Sequence, residues 1–150
     1  MKHLLISTFA AAVMLLFGGV NEVNADPLTY EVVGDTVTIK DCEETATGEL
    51  EIPSTYEGKP IARIGERAFW KCTSLTSVTI PDSVTIIGEW AFSGCSSLTS
   101  VTIDGNVISI PLGAFAGCSS LAGVTLPDSV TSIGHLAFAG CRSLASMTFP

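Results

Sequence analysis

The sequence has 150 residues, enough for one domain, and a formal net charge of −8. With no basic stripe, it lacks the electrostatic footprint of a nucleic-acid or anionic-membrane binder. The charge is uneven: residues 26–58 hold nine acids against Lys40 alone, whereas residues 59–150 hold five acids and five bases. The acidity therefore belongs to the N-terminal segment, where it serves solubility as a solvated face.

The chain opens with Lys2, then an uncharged, mostly apolar run from Leu4 to Val20, then Val23-Asn24-Ala25 with small residues placed for a cut before Asp26. These are the parts of a secretory signal peptide over residues 1–25, which predicts a secreted or cell-surface, extracytoplasmic protein with no membrane insertion after cleavage. An uncleaved anchor is the rival reading. It wants roughly 20 apolar residues, and this run has 17 and a Gly-Gly pair near its end. The junction carries no Cys for a lipoprotein anchor.

Residues 26–49 read as an N-terminal β-hairpin cap and an acidic loop. Leu28 to Val33 and Thr36 to Lys40 largely alternate apolar and polar residues around Gly34-Asp35, the pattern of two strands and a tight turn. Tyr30, Val32, Val37 and Ile39 are expected on one face. Asp41 to Gly48 is expected as a polar loop. It lacks the Asp-x-Asp-x-Asp-Gly pattern of a calcium loop.

From residue 50 the chain repeats itself. A degenerate half-repeat covers 50–63, with Ser54 to Pro60 standing where later units have only Asp82-Ser83, an insertion expected on a loop. Full repeats then start at 64, 87, 110 and 133 without a slip in the 23-residue period. A fixed period of this size predicts a stacked solenoid. Each unit holds a short strand (Leu98-x-x-Val101-x-Ile103), ended by Pro81 or Pro127 in units that keep the proline. The opposite wall, Gly-x-x-Ala-Phe-x-x-Cys, is expected as a short helical turn with Ala91, Phe92 and Cys95 on one face. One unit leaves both flanks wet, so units fold only as a stack, with Phe69, Phe92, Phe115 and Phe138 in one column and Leu75, Leu98, Leu121 and Leu144 in another.

The pattern Ile-Gly-x-x-Ala-Phe-x-x-Cys-x-x-Leu-x-x-Val-Thr-Ile-Pro-x-Ser-Val, over roughly Leu50 to Pro150, resembles the BspA-type leucine-rich repeat of bacterial and protist surface proteins. The resemblance implies a curved solenoid with a parallel sheet on its inner face. It also implies an exported protein that binds macromolecules of a host or neighbouring cell. The third unit departs from the pattern: Pro111-Leu112-Gly113 replaces Gly-x-x, and Asp104-Gly105-Asn106 replaces Pro-Asp-Ser.

Cys72, Cys95, Cys118 and Cys141 recur at the same period. Three readings stand: a buried column of small thiols, disulfides, which an exported protein permits but a column of parallel side chains suits poorly, and zinc, which ligands strung one per rung cannot enclose. Cys42 stands apart between two acids and is a poor nucleophile. His135 is the one histidine after the signal segment and has no recurrent partner for catalysis, so an enzyme is not expected; nor is a cofactor or metal.

The positions left for function are those that do not build the core. The outward strand residues form a grid of small hydroxyls, Thr79, Thr102, Thr125 and Thr148 with Ser77, Ser100, Gly123 and Ser146 beside them. This is either ordinary solvated strand surface or a polar platform for extracellular proteins or glycans; its four rungs are small for ordering water. Trp70, Trp90, Leu112 and Leu136 lie off the core on the other wall. They read either as padding against neighbouring turns or as partner-binding anchors. Met147-Thr148-Phe149-Pro150 completes a strand with no polar cap after it, so either a longer product or self-association through this repeat is expected. The leading functional expectation is an adhesin-like, secreted or surface interaction module. The alternative is a structural fragment or capping segment of a longer surface protein.

Overall fold

The computed structural model describes residues 26–148; the predicted signal peptide and the last two residues lie outside this range. Twelve strands occur in chain order: β1 Leu28–Val33, β2 Thr36–Cys42, β3 Thr47–Glu51, β4 Thr55–Tyr56, β5 Lys59–Ile64, β6 Ser74–Ile80, β7 Ile86–Ile87, β8 Ser100–Ile103, β9 Ser109–Ile110, β10 Gly123–Thr125, β11 Ser132–Ile133 and β12 Ser146–Thr148. The period of 23 becomes a register. Val78, Val101, Val124 and Met147 pair in turn across β6, β8, β10 and β12, all parallel, and β3 adds a fifth strand with Leu50 opposite Val78. The chain is thus a β-solenoid whose main wall is a five-stranded parallel sheet.

The opposite wall corrects the helical expectation: no helix occurs among the described residues. Spacings of three and four do bring Ala91, Phe92 and Cys95 to the interior, all fully buried. They do so through consecutive tight turns. The N–H groups of Ala91, Ser93 and Cys95 donate back to Gly88, Trp90 and Phe92, three residues earlier. The intervening N–H groups of Trp90, Phe92 and Gly94 leave the turn and donate to Leu112, Ala114 and Ala116 of the next rung, at 3.0, 2.8 and 2.8 Å. Every second donor therefore stitches rungs together, and no i→i−4 ladder can form. Left-handed backbone at Arg67, Trp90 and Leu136 (φ 55°, 57° and 58°) sits at the third position of the first turn in its rung, the position where a type II turn demands positive φ.

Inside, Phe69, Phe92, Phe115 and Phe138 stack with centroids 4.6, 5.2 and 5.4 Å apart and planes within 12°. Close stacking also fixes a glycine: a Cβ on Gly88 would lie 2.5 Å from Glu66 N and 2.7 Å from Gly65 O of the preceding rung, a gap no other residue fits.

The N-terminal hairpin covers the N-terminal end of the stack. Its β2 pairs in parallel with β5, and β5 with β7. Val37 and Ile39 are fully buried. Tyr30 and Val32 are register partners of Ile39 and Val37 and so share their face, but Val32 sits near the hairpin tip and stays 41% exposed. The expected loop Asp41 to Gly48 is shorter than that, because β2 runs on to Cys42 and β3 begins at Thr47. The expected insertion loop is instead a second hairpin, β4 against β5. Glu57 and Gly58 at its turn both have positive φ (51° and 76°), the signature of a tight I′ turn. It carries Tyr56 flat onto Tyr30, ring centroids 4.1 Å apart. Burial first, then the Asp26 carboxylate that accepts the Tyr30 hydroxyl at 2.7 Å, push the Tyr30 phenol well up and hold it neutral.

Candidate interaction surfaces

The outward face of the five-stranded sheet carries two straight rows. One reads Glu51, Thr79, Thr102, Thr125, Thr148; the other reads Glu49, Ser77, Ser100, Gly123, Ser146. Adjacent strands place successive residues of a row about 4.8 Å apart. The hydroxyls divide into two classes. Those of Thr85, Thr99, Ser119, Ser129 and Thr131 donate to carbonyls of the preceding rung. Those of Thr79, Thr102, Thr125 and Thr148 and of their serine neighbours make no hydrogen bond within the described residues. The sheet thus presents uncommitted hydroxyls, bounded at one edge by two carboxylates. Leu50-Glu51-Ile52-Pro53 stands where later repeats have Val-Thr-Ile-Pro, and the β3–β6 pairing places Glu51 and Glu49 at the head of the two rows.

On the outer wall, the four expected anchors fall in three separate columns. Trp70 shares its column with Ser93, Ala116 and Ala139; Trp90 with Arg67, Gly113 and Leu136; Leu112 with Glu66, Glu89 and His135. Trp70 is 43% exposed, with the Lys71 ammonium 4.1 Å from its ring centroid. Leu136 is 45% exposed. Trp90 and Leu112 are half-buried. The Trp90 ring covers Gly113 so closely that a Cβ there would collide with it, and Gly113 also has φ 61°. This explains the glycine at 113: Gly113 makes room for Trp90.

All five cysteines are free thiols; Cys42, Cys72, Cys95 and Cys118 are buried and Cys141 is half-buried. Cys95, Cys118 and Cys141 each donate Sγ–H to the carbonyl of the phenylalanine one rung back (Phe69, Phe92, Phe115) at 3.0 to 3.1 Å. A small apolar side chain with one weak donor fits this gap. Cys42 does not stand apart: it heads the column, with Cys72 Sγ 3.7 Å from its carbonyl. Its hydrogen bond with Cys72, then burial, then the neighbouring Asp41 and Glu43 carboxylates push the Cys42 thiol well up. Bonding to Cys118 and burial do the same to Cys95, and burial pushes Cys141 up to about 11. The Cys42, Cys95 and Cys141 thiols are therefore poor nucleophiles, whereas the hydrogen bond with Cys42 lowers the Cys72 thiol. Among the described residues, no cluster of three His, Cys, Asp or Glu side chains could hold a metal ion.

A third surface was not visible in the sequence. A groove of about 510 Å³ opens over the sheet β1-β2-β5-β7, lined among others by Val33, Thr36, Thr38, Ala62, Arg63 and Ile86. Glu31, Thr38, Arg63 and Ile86 stand in one cross-strand row. The one sign in the sequence is a column that reads Arg63, Ile86, Ser109, Ser132, polar except at Ile86.

The BspA type leucine rich repeat region matches residues 42–150 in six copies, reaching back to Cys42 at the head of the thiol column. A search of the curated proteins finds no match. Among solved structures, a leucine-rich repeat protein of T. pallidum is 30% identical, with TM-score 0.67, over 85% of this chain and 71% of that one. One from Bacteroides capillosus is 32% identical, with TM-score 0.69, over 85% of this chain and 97% of that one. A leucine rich cell surface protein of Faecalibacterium prausnitzii is 29% identical, with TM-score 0.58, over 94% of this chain and 44% of that one. No helix among the described residues is long and apolar enough to cross a membrane.

Proposed function

The chain belongs to the BspA type leucine rich repeat family, and on that premise we propose that it is an extracytoplasmic interaction module. It binds a surface macromolecule of a host or neighbouring cell in an adhesin-like manner, through the hydroxyl rows of its main sheet. The observation that carries this reading is the division of hydroxyls. The rungs starting at 64, 87 and 110 commit hydroxyls to the preceding rung, yet among the described residues Thr79, Thr102, Thr125 and Thr148 are all left free on one face. Strand propensity accounts for threonine there. It does not account for Glu49 and Glu51 completing both rows. Export rests on the signal-peptide pattern of residues 1–25 and agrees with the surface description of the Faecalibacterium relative. Trp70 and Leu136, exposed on the other wall, are second-rank contacts.

The test is a triple substitution, Thr79→Val, Thr102→Val and Thr125→Val, which keeps shape and strand propensity while removing the hydroxyls. Binding of residues 26–150 to immobilised matrix proteins and to a glycan array should fall at least about tenfold, since each lost hydrogen bond is worth about 0.5–1.5 kcal/mol. Unchanged binding with an unchanged melting curve would move the contact surface elsewhere, with Trp70→Ala as the next variant.

A further inference from the structure

We propose that the groove over β1-β2-β5-β7 is a second binding site, independent of the hydroxyl rows, for an extended peptide segment bearing a carboxylate next to an apolar side chain. The charge arithmetic is local. Lys40 is paired with Glu31 at 3.2 Å, and Glu66 with Arg67 at 2.9 Å. Arg63, between Thr38 and Ile86 in the row, has no ion-pair or side-chain hydrogen-bond partner among the described residues. Arg67 lies outside the lining, so the lining carries Glu31 and Glu66 against Lys40 and Arg63 and is neutral overall; Arg63 is the lining charge without a partner among the described residues, and its planar fork matches a carboxylate.

The apolar half comes from Val33, 56% exposed, and Ile86, 45% exposed. Both line the same groove. Ile86 lies beside Arg63, and the next two rungs put serine at its position. The fold therefore does not require an isoleucine there. The hydroxyls of Thr36 and Thr38 lie between the two halves on β2. An extended peptide carries a carboxylate and a neighbouring apolar side chain on one backbone, the two contacts that Arg63 and Ile86 offer side by side on adjacent strands; Val33, on β1, lies at the far side of the groove.

The site can be tested without disturbing the fold, because the structure already supplies the replacements. Arg63→Ser and Ile86→Ser install the residue that Ser109 and Ser132 carry in the same column. The probes are dansylated, end-blocked hexapeptides with one glutamate and a leucine one, two or three positions away, each with its glutamine counterpart, titrated into residues 26–150 and followed by amide shifts. We expect at least one glutamate peptide to bind and to shift Arg63, Thr38 and Ile86. The glutamine counterpart and Arg63→Ser should each bind at least tenfold more weakly, Ile86→Ser several-fold more weakly, and added salt should weaken the wild type but not Arg63→Ser. The proposal is overturned if no peptide binds at millimolar concentration, if glutamate and glutamine peptides bind alike, or if the shifts map to the hydroxyl rows. Tighter binding of a glucuronate disaccharide than of any peptide would also overturn it. Unchanged melting curves for both variants separate these outcomes from loss of structure.

Discussion

The two ends of the stack are built from the same residues and differ in what lies against them. At the N-terminal end, Ile64, Phe69 and Cys72 are completely buried, because the hairpin and the head of the column cover them. At the other end, their equivalents Ile133, Phe138 and Cys141 are exposed or half-buried among the described residues, with Ile133 at 44%. Residue identity is constant down these three columns; burial is not. In a stack with no long-range contacts beyond the next rung, a side chain's stabilising effect is set by how many neighbours flank it.

Four measurements break or sharpen that contrast. The largest effect is expected from Phe92→Ala, which removes a ring stacked on both faces and costs about 3–5 kcal/mol. Phe138→Ala, stacked on one face, should cost about 1–2 kcal/mol of lost burial; urea unfolding followed by hydrogen exchange would separate them, and equal costs would defeat the nearest-neighbour account. Next is Gly113→Ala, which sets a Cβ against the Trp90 ring at positive φ and should cost about 1–3 kcal/mol. Trp90→Ala in the same chain should recover part of it, and a strictly additive pair would deny the contact. A smaller effect concerns pH. Cys141 has its thiol raised from 9.0 to about 11 by burial. The folded state then holds its proton more tightly than the unfolded one, so this contribution is whole below about 9 and is lost as pH rises towards 11. Melting temperature should fall across that window, less so in Cys141→Ala, and thiol reagents should label Cys141 before Cys95 or Cys118. The smallest is Lys40→Ala: its pair with Glu31 has both side chains about half exposed, and the unfolding midpoint should move by under about 0.5 kcal/mol.

Repetition made the stack legible, because identical residues at a fixed interval can only be satisfied by one another. The core columns, the parallel sheet and the outward rows all follow from that. The outer wall did not follow, since spacings of three and four suit a helix and a chain of turns equally. What decides between them is the donation from Phe92 to Ala114, between residues 22 apart, which no local window contains. Gly113 looked like an irregularity of its own unit and is an accommodation to Trp90 in the unit before. The groove was illegible for the same reason. Arg63 and Ile86 become neighbours through the period, but Val33 and Thr38 join them only when a non-repeating hairpin covers the N-terminal end of the stack. The Ser54 to Pro60 insertion, expected on a loop, is a hairpin that presses Tyr56 onto Tyr30.

The turn ladder of the outer wall points one way throughout. Within the turns, the inter-rung N–H groups face the following rung and the carbonyls face back: Arg67 to Glu89, Trp90 to Leu112, Gly113 to His135. The amide dipoles therefore add along the solenoid instead of cancelling, as they do along a helix. The wall is electrically polar, with its donor-rich, positive side towards the C-terminal rung, where Leu136, Phe138 and Gly140 carry the next N–H groups in the series. Along this wall a surface laid against that rung meets donors and one laid against the opposite end meets acceptors, whereas elsewhere in the rung N–H groups such as those of Gly88, Thr99 and Gly134 point back to the preceding rung.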